Sequence, residues 1–452
     1  MSERMSARTE ALFRRLVRRD AGPTLRKLLH SYRAEDIAAV MRHMTWGEQR
    51  RLYGLIDDRD QAAEVLTMLS EDSVRQLTAE LTEEHVVDLL DRMELDDATD
   101  VISVLPDDVR TRVLSELGEE EGSELASLLE WPADTAGGLM SPEFFSMPET
   151  ATCGSAIRAL QKAGDDVAYV HYVYVLDHEE RLVGVVSIRT LVVRPAATPL
   201  VSVMTRDPIT VGPTQDQEDV ARYVARYDLL SIPVVDGDRK MLGIVTVDDV
   251  VDVIREEAAE DMFLMAGLSD EQDPVHSTTL QQTRQRGGWL MATIAGGIAA
   301  SEIIGGYEDT LAKVAVLAGF IPVIMGVAGN VGMQSATVSV RGLATGHVQL
   351  SGAFGFVARE VRVGLLLGLT FGALLTGYGY LRFEETPMIG PAVGFSVFIA
   401  ISGASLLGAG IPVGLSRLGI DPAIATGPIV LTLIDLVGIV VYFNVARWML
   451  GL

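Results

Sequence analysis

From Gly287 to the C-terminus the chain repeatedly runs free of charge for lengths that match a lipid bilayer. Five spans can be drawn: roughly 287–307, broken by Glu302; 314–340; 363–381; one within 386–416; and 422–446, with Asp435 inside it. A helix needs ~20 apolar residues to cross the hydrocarbon core, and each stretch is long enough. A very large buried core is the weaker explanation.

Composition sharpens this division. The chain carries 62 acidic against 37 basic side chains, a formal net charge of −25, yet 48% of its residues are hydrophobic. These properties separate at Gly287: residues 287–452 hold eight acidic and seven basic side chains, which leaves −24 on the first 286. The front therefore reads as a soluble acidic body and the back as membrane. Nucleic acid is excluded as a partner, because binding polyphosphate depends on cationic neutralisation. A cationic ligand suits such a surface. The single cysteine, Cys153, excludes an intramolecular disulfide framework and fits cytoplasmic exposure, and the first residues lack the apolar run of a signal peptide.

Basic residues beside the spans set the orientation. With the acidic body inside, Arg284, Arg286, Arg341, Arg359, Arg362 and Arg417 fall on the inner face, and only Lys313, Arg382 and Arg447 outside. The expectation is a multi-pass protein of the cell (inner) membrane with cytoplasmic N-terminal domains.

Asp435 has 13 uncharged residues before it and 11 after, so it is expected near the bilayer midplane. A charge there costs ~2.5–3.5 kcal/mol on insertion scales, and something must offset that. A cation pathway does so directly, since a carboxylate is a hard oxygen ligand for a hard ion such as Mg²⁺; a carboxylate bonded between helices, or kept protonated, is the bland alternative. Pro422, Gly427 and Pro428 precede it and are expected to interrupt the helix, freeing backbone that is tolerated where it lines protein or a watery cavity. The second span has the same character around Pro322, with small residues for close packing and Asn330, Gln334 and Thr337 as neutral oxygen groups.

In the soluble half, Leu69, Leu81, Met93, Leu105 and Leu117 mark a twelve-residue beat, each followed by a polar cluster that opens a helix. This spacing predicts a superhelical array of short helices. After Trp131-Pro132 strands alternate with helices in two copies of one plan. The first has a helix at 155–163, a strand at 169–175 and the run Gly184-Val-Val-Ser187-Ile-Arg-Thr190. The second has a helix at 217–227, a strand at 232–235 and Gly243-Ile-Val-Thr246-Val-Asp-Asp249. The duplication resembles a tandem pair of cystathionine-β-synthase (CBS) domains. That resemblance implies adenosine nucleotide recognition by a hydroxyl and a carboxylate, which the second copy retains as Thr246 and Asp249 and the first lacks; many such pairs are purely structural. In the bridge that follows, Asp249, Asp252, Glu256 and Glu260 fall on one helical face, where like charges repel unless a divalent ion is shared. A solvated face is the bland reading.

Taken together, these parts resemble the MgtE family of magnesium channels and transporters. The strongest matches are Gly329-Asn330-x-Gly332-x-Gln334-Ser-Ala-Thr337 and Asp421-Pro422-Ala423, Pro428, Thr432 and Asp435. The resemblance implies a multidomain fold: an all-α superhelical N domain (1–132), an α/β CBS pair (133–198 and 199–256), a long connecting or plug helix (257–286) and an all-α polytopic membrane domain of five transmembrane helices (287–452). It implies a homodimer in the lipid bilayer whose pore residue Asp435 holds hydrated Mg²⁺, with Asn330, backbone near Gly427, Thr432, Gln334 and Thr337 along the pathway. It implies regulatory Mg²⁺ held by Glu218, Asp228, Asp249, Asp252, Glu257, Glu260 and Asp261, with N-domain partners near Asp58 and Asp91–Asp97, and ATP as a modulating ligand. Ala328 and Gly427 depart from the family pattern, the second leaving Asp435 without a neighbouring side-chain ligand.

The expected activity is Mg²⁺ influx driven by membrane potential and closed by cytosolic Mg²⁺. No phosphate-binding Gly-Lys-Ser/Thr loop appears, so an ATPase is not expected, and the resemblance implies a transport protein rather than an enzyme. A cation-coupled secondary transporter of divalent metals (Mg²⁺, Co²⁺, Mn²⁺) is the alternative. A CBS-regulated anion channel conflicts with the negative central residue, and a membrane-anchored nucleotide sensor has no use for Asp435.

Overall fold

The computed structural model describes residues 2–164, 170–268, 279–350, 352–425 and 427–452. It divides into two compact units, Met1–Ile254 and Arg255–Leu452.

The first unit opens with ten short helices between Ser2 and Leu128. The twelve-residue beat lies in the joints: Ser70, Thr82, Glu94 and Pro106 are the N-caps of helices Glu71–Thr78, Glu83–Leu90, Leu95–Ser103 and Asp107–Glu116. At Thr82 the hydroxyl accepts the His85 N–H, satisfying a donor that the first helical turn leaves free. Leu69, Leu105 and Leu117 are buried, and Leu81 and Met93 pack against the same core. Alternate helices stack: Ala34–Met41 on Arg59–Thr67, that helix on Glu83–Leu90, and that one on Asp107–Glu116. Such short helices owe their stability to this packing rather than to propensity.

Two α/β copies follow. Strands β1 (Ser146–Pro148), β2 (Tyr172–Leu176), β3 (Leu182–Ser187) and β4 (Thr205–Arg206) form one sheet in that order; β5 (Ser231–Val235) and β6 (Met241–Thr246) form an antiparallel pair. The copies repeat in detail. Register shifts at Val175/Leu176 in one and at Val234/Val235 in the other. In both β-turns an aspartate, Asp177 or Asp236, accepts two backbone N–H groups, and the residue two before the second strand, Glu180 or Arg239, has φ +63° or +64°. Tyr174 Oη and Ser231 Oγ, 2.9 Å apart, and the Leu182 N–H bond to Arg239 O tie the copies together. The helix Val247–Met265 leaves β6 directly, so it begins ten residues before the expected connecting segment and passes from the first unit into the second. The remainder of 257–286 comprises a turn at 266–268, residues 269–278, outside the described set, and the first turns of Thr279–Gly305.

Among its described residues the second unit contains five helices long and apolar enough to cross a membrane: Thr279–Gly305, Ala315–Ala344 including its 3₁₀ start, Ala353–Arg382, Ile389–Arg417 and Pro428–Leu450. The fourth is the most enclosed, flanked by the second, third and fifth. Gly364, Gly368 and Gly372 of the third lie one turn apart along the fourth, so the backbones approach as closely as helices can. Phe320, Ile324, Val397, Ile401, Ile434 and Phe443 form the shared core, and the buried Tyr442 hydroxyl donates to Leu317 O at 2.8 Å.

The prolines act differently from expectation. Pro322 and Pro428 occupy the first turns of their helices, where the missing N–H is no loss and the fixed φ is already helical. The fifth span thus starts at Pro428 rather than Pro422, preceded by a 3₁₀ turn at Ala423–Ala425. Asp435 accordingly stands two turns into a 23-residue helix, ~11 Å from its start, and not at its centre.

Candidate ion pathway

Asp435 opens onto a cavity of about 290 Å³ inside the second unit. Its walls are Thr293, Gly296, Gly297 and Ala300 of the first span, Met325 and Met333 of the second, and Gly427, Pro428, Leu431 and Thr432 at the start of the fifth. Met265 and Ala266 close one side. Asp435 is half-buried, and among the described residues its carboxylate has no hydrogen-bond or ion-pair partner. Two glycines make room. A Cβ at Gly329 would lie 2.7 Å from Leu431 Cδ1 and 3.6 Å from the Asp435 carboxylate, so only glycine lets the second span come this near. At Gly296 a Cβ would collide with the Thr432 side chain.

The end of the connecting helix meets the pathway at backbone level. Gly267, with φ +73°, turns the chain against the Pro428 ring, and a Cβ at Gly427 would stand 3.3 Å from Leu264 O and 3.4 Å from Met265 O. A larger residue at either position would have to push this end away. Glycine at 427 therefore leaves room for the backbone of Leu264, Met265 and Gly267 beside it. Asn330, Gln334 and Thr337, expected along the pathway, are not in the cavity wall; Asn330 and Gln334 are exposed.

The expected regulatory carboxylates fall into separate groups. Within the first unit, Asp249 is held by Thr246, whose hydroxyl and backbone N–H both donate to Oδ2. Burial, and then the Asp96 and Asp248 carboxylates, push Asp249 up to about 6, while Thr246 opposes the shift. The facing group comes from the helical domain. Glu94 is raised to about 8, first by burial and then by Asp96, Asp97, Glu143 and Asp249; Asp96 and Asp97 are raised to about 6, also chiefly by burial. Glu143 was missed from sequence, and Glu94, Asp96 and Asp97 were covered only by the range 91–97. The run Glu94-Leu-Asp-Asp97 has the form of a helix cap, and nothing local reveals that it meets Asp248 and Asp249.

Asp91 caps the helix Glu83–Leu90 and is exposed, Asp58 caps Arg59–Thr67, Glu218 lies 3.3 Å from Arg222, and Asp228 ends its helix at φ +51°. In the second unit Asp261 is pushed up to about 6 by burial, then by Asp421 and Glu257, beside the start of the fifth span. Asp252 and Glu260 belong to the same helix as Asp261. Among the described residues no three His, Cys, Asp or Glu side chains already stand as a metal-binding group.

Comparison with known proteins gives a consistent outcome. Residues 321–445 match the divalent cation transporter family MgtE, residues 32–134 the MgtE intracellular N domain, and residues 136–196 and 200–256 the CBS domain. The chain is 40% identical over 332 residues to the magnesium transporter MgtE of Thermus thermophilus, covering 73% of each chain. It is 38% identical to the MgtE of Enterococcus faecalis, covering 72% of each. Among solved structures, the cytosolic domain of the Mg²⁺ channel MgtE in complex with ATP covers 54% of this chain and 99% of its own, with 31% identity and a TM-score of 0.50.

Proposed function

Given that the chain belongs to the MgtE family, whose members are magnesium transporters embedded in the membrane and not enzymes, we propose that it is a gated Mg²⁺ channel working as a homodimer. The helical and CBS regions are its cytosolic part. The observation that carries the reading is the Asp435 carboxylate, without a donor from the described protein, facing a cavity within a membrane span. An anionic oxygen group so placed calls for water or a cation. Thr432 and Thr293 supply the hydroxyls in the wall, and the remaining lining is mostly apolar. Such a wall favours an ion that keeps part of its own water, as Mg²⁺ does.

A dication entering along an inside-negative potential gains ~4.6 kcal/mol per 100 mV, so entry needs no ATP hydrolysis. The gate is the end of the connecting helix beside Gly427 and Pro428. Cytosolic Mg²⁺ holds it by bridging acidic groups: Asp249 with Glu94, Asp96 and Asp97 in the first unit, supported by Asp91, Asp252, Glu218 and Asp228, and Glu257, Glu260 and Asp261 in the second. When Mg²⁺ falls these carboxylates repel, which gives the ion different affinities for closed and open states, as any regulatory ligand must have. Thr246 and Asp249 of the second CBS copy serve an adenine nucleotide; the ATP complex of a relative supports this coarser assignment.

The pore assignment is tested by Asp435→Ala in proteoliposomes. Mg²⁺ uptake should vanish while folding and assembly persist. Normal uptake by the variant sinks it.

A further inference from the structure

The cytoplasmic ends of three membrane helices carry arginines that no carboxylate pairs with among the described residues. Arg341 lies in the last turn of the second span helix, Arg359 and Arg362 in the early turns of the third, and Arg417 ends the fourth. All four are exposed. Arg417 Nη2 donates to Leu350 O at 3.2 Å, which fixes the end of the fourth helix to the short loop joining the other two. Several arginines of the soluble unit pair instead with carboxylates, as Arg18 does with Glu48 and Arg112 with Glu83. None of the four membrane-end guanidiniums has a carboxylate partner among the described residues. Glu360 is buried between Arg359 and Arg362 at 8% exposure, and Asp421 turns back to accept the Ala423 N–H at 2.7 Å. Apolar side chains stand at the same end: Phe354 is 84% exposed, Leu418 74% and Leu350 39%.

We propose that this end is a binding site for anionic phospholipid, its phosphate held by Arg341, Arg359, Arg362 and Arg417 and its upper acyl chain by Leu350, Phe354 and Leu418. Guanidinium is the side chain that pairs with phosphate in a bidentate fork. Helix ends of this kind lie at headgroup level, where cationic and apolar groups side by side match a lipid and not a soluble phosphate. Near a membrane surface each such cation is worth about a fivefold change in binding. None of these residues lines the cavity at Asp435, so the site stands or falls apart from the ion pathway.

The test uses the full chain in nanodiscs of phosphatidylcholine with and without phosphatidylglycerol, extracted into detergent, washed, and analysed for retained lipid by mass spectrometry. The wild type should retain phosphatidylglycerol over phosphatidylcholine. The quadruple variant Arg341→Gln, Arg359→Gln, Arg362→Gln, Arg417→Gln should lose the preference, and Arg382→Gln with Arg447→Gln at the outer ends should keep it. If the quadruple variant fails to fold, the pairs Arg341→Gln with Arg417→Gln and Arg359→Gln with Arg362→Gln, taken separately, should each lower the preference more than tenfold. No preference in the wild type, or an unchanged one in the inner variants, overturns the proposal. Displacement of the lipid by inorganic phosphate as readily as by phosphatidylglycerol micelles also overturns it, in favour of a soluble-anion site.

Discussion

Asp435 stands two turns into its helix with no donor from the described protein, so its oxygens depend on water or on what passes. Through water at 4 Å, a unit charge acts on a dication with ~2 kcal/mol, which translates to ~30-fold in occupancy. Asp435→Asn keeps the shape and removes the charge, so Mg²⁺ uptake in proteoliposomes should fall by about that factor; an unchanged rate would assign the attraction elsewhere. Gly329 serves the same residue by its smallness. Gly329→Val forces Leu431 or the second span to move, an overpacking that costs about 1–3 kcal/mol, and both thermal stability and uptake should drop. A lone carboxylate in an apolar run is visible in any sequence, and that is why Asp435 was legible. Glu143, and the meeting of Glu94, Asp96 and Asp97 with Asp248 and Asp249, were not, because a helix-capping tetrad and a burial site for acids look alike until residues about 150 positions away arrive beside them.

Among the elements, the short helices of the N domain were readable because capping chemistry is local: an oxygen at the N-cap answers donors within three residues. The prolines misled for a related reason. Sequence gives their position in an apolar run but not which turn of a helix they occupy, and at the first turn they start a helix instead of breaking it. The junction between the helix Leu95–Ser103 and the start of the connecting helix has a consequence for pH. Its carboxyl groups are raised in the folded state, to about 6 at Asp96, Asp97 and Asp249 and about 8 at Glu94. Raised carboxyl groups bind protons more readily folded than unfolded. The stability they contribute is therefore full below the ordinary carboxyl range near ~4 and is lost as pH climbs through 6 and 8. A divalent ion replaces those protons, so the soluble unit should gain more in melting temperature from Mg²⁺ at pH 8 than at pH 6. Equal gains at both, followed by scanning calorimetry, would remove Mg²⁺ from this junction.

At the scale of the whole molecule, nearly all of the net charge belongs to the first 286 residues, and the membrane half is almost neutral. The division into a soluble and a membrane unit follows from that partition and was evident before any coordinates. The expected regulatory carboxylates divide between the two units, Asp249 lying in one and Glu257, Glu260 and Asp261 in the other. Neutralising Asp249, Asp252, Glu257 and Glu260 together should leave Mg²⁺ uptake insensitive to internal Mg²⁺; inhibition of the usual strength would show that the ion closes the pathway by other means. The central claim, a channel rather than a coupled transporter, is tested most directly by current recording across planar bilayers holding the full chain under a Mg²⁺ gradient. The account predicts unitary currents that reverse at the Mg²⁺ equilibrium potential and disappear in Asp435→Ala. Mg²⁺ movement with no unitary current and a fixed stoichiometry to a second ion would contradict it.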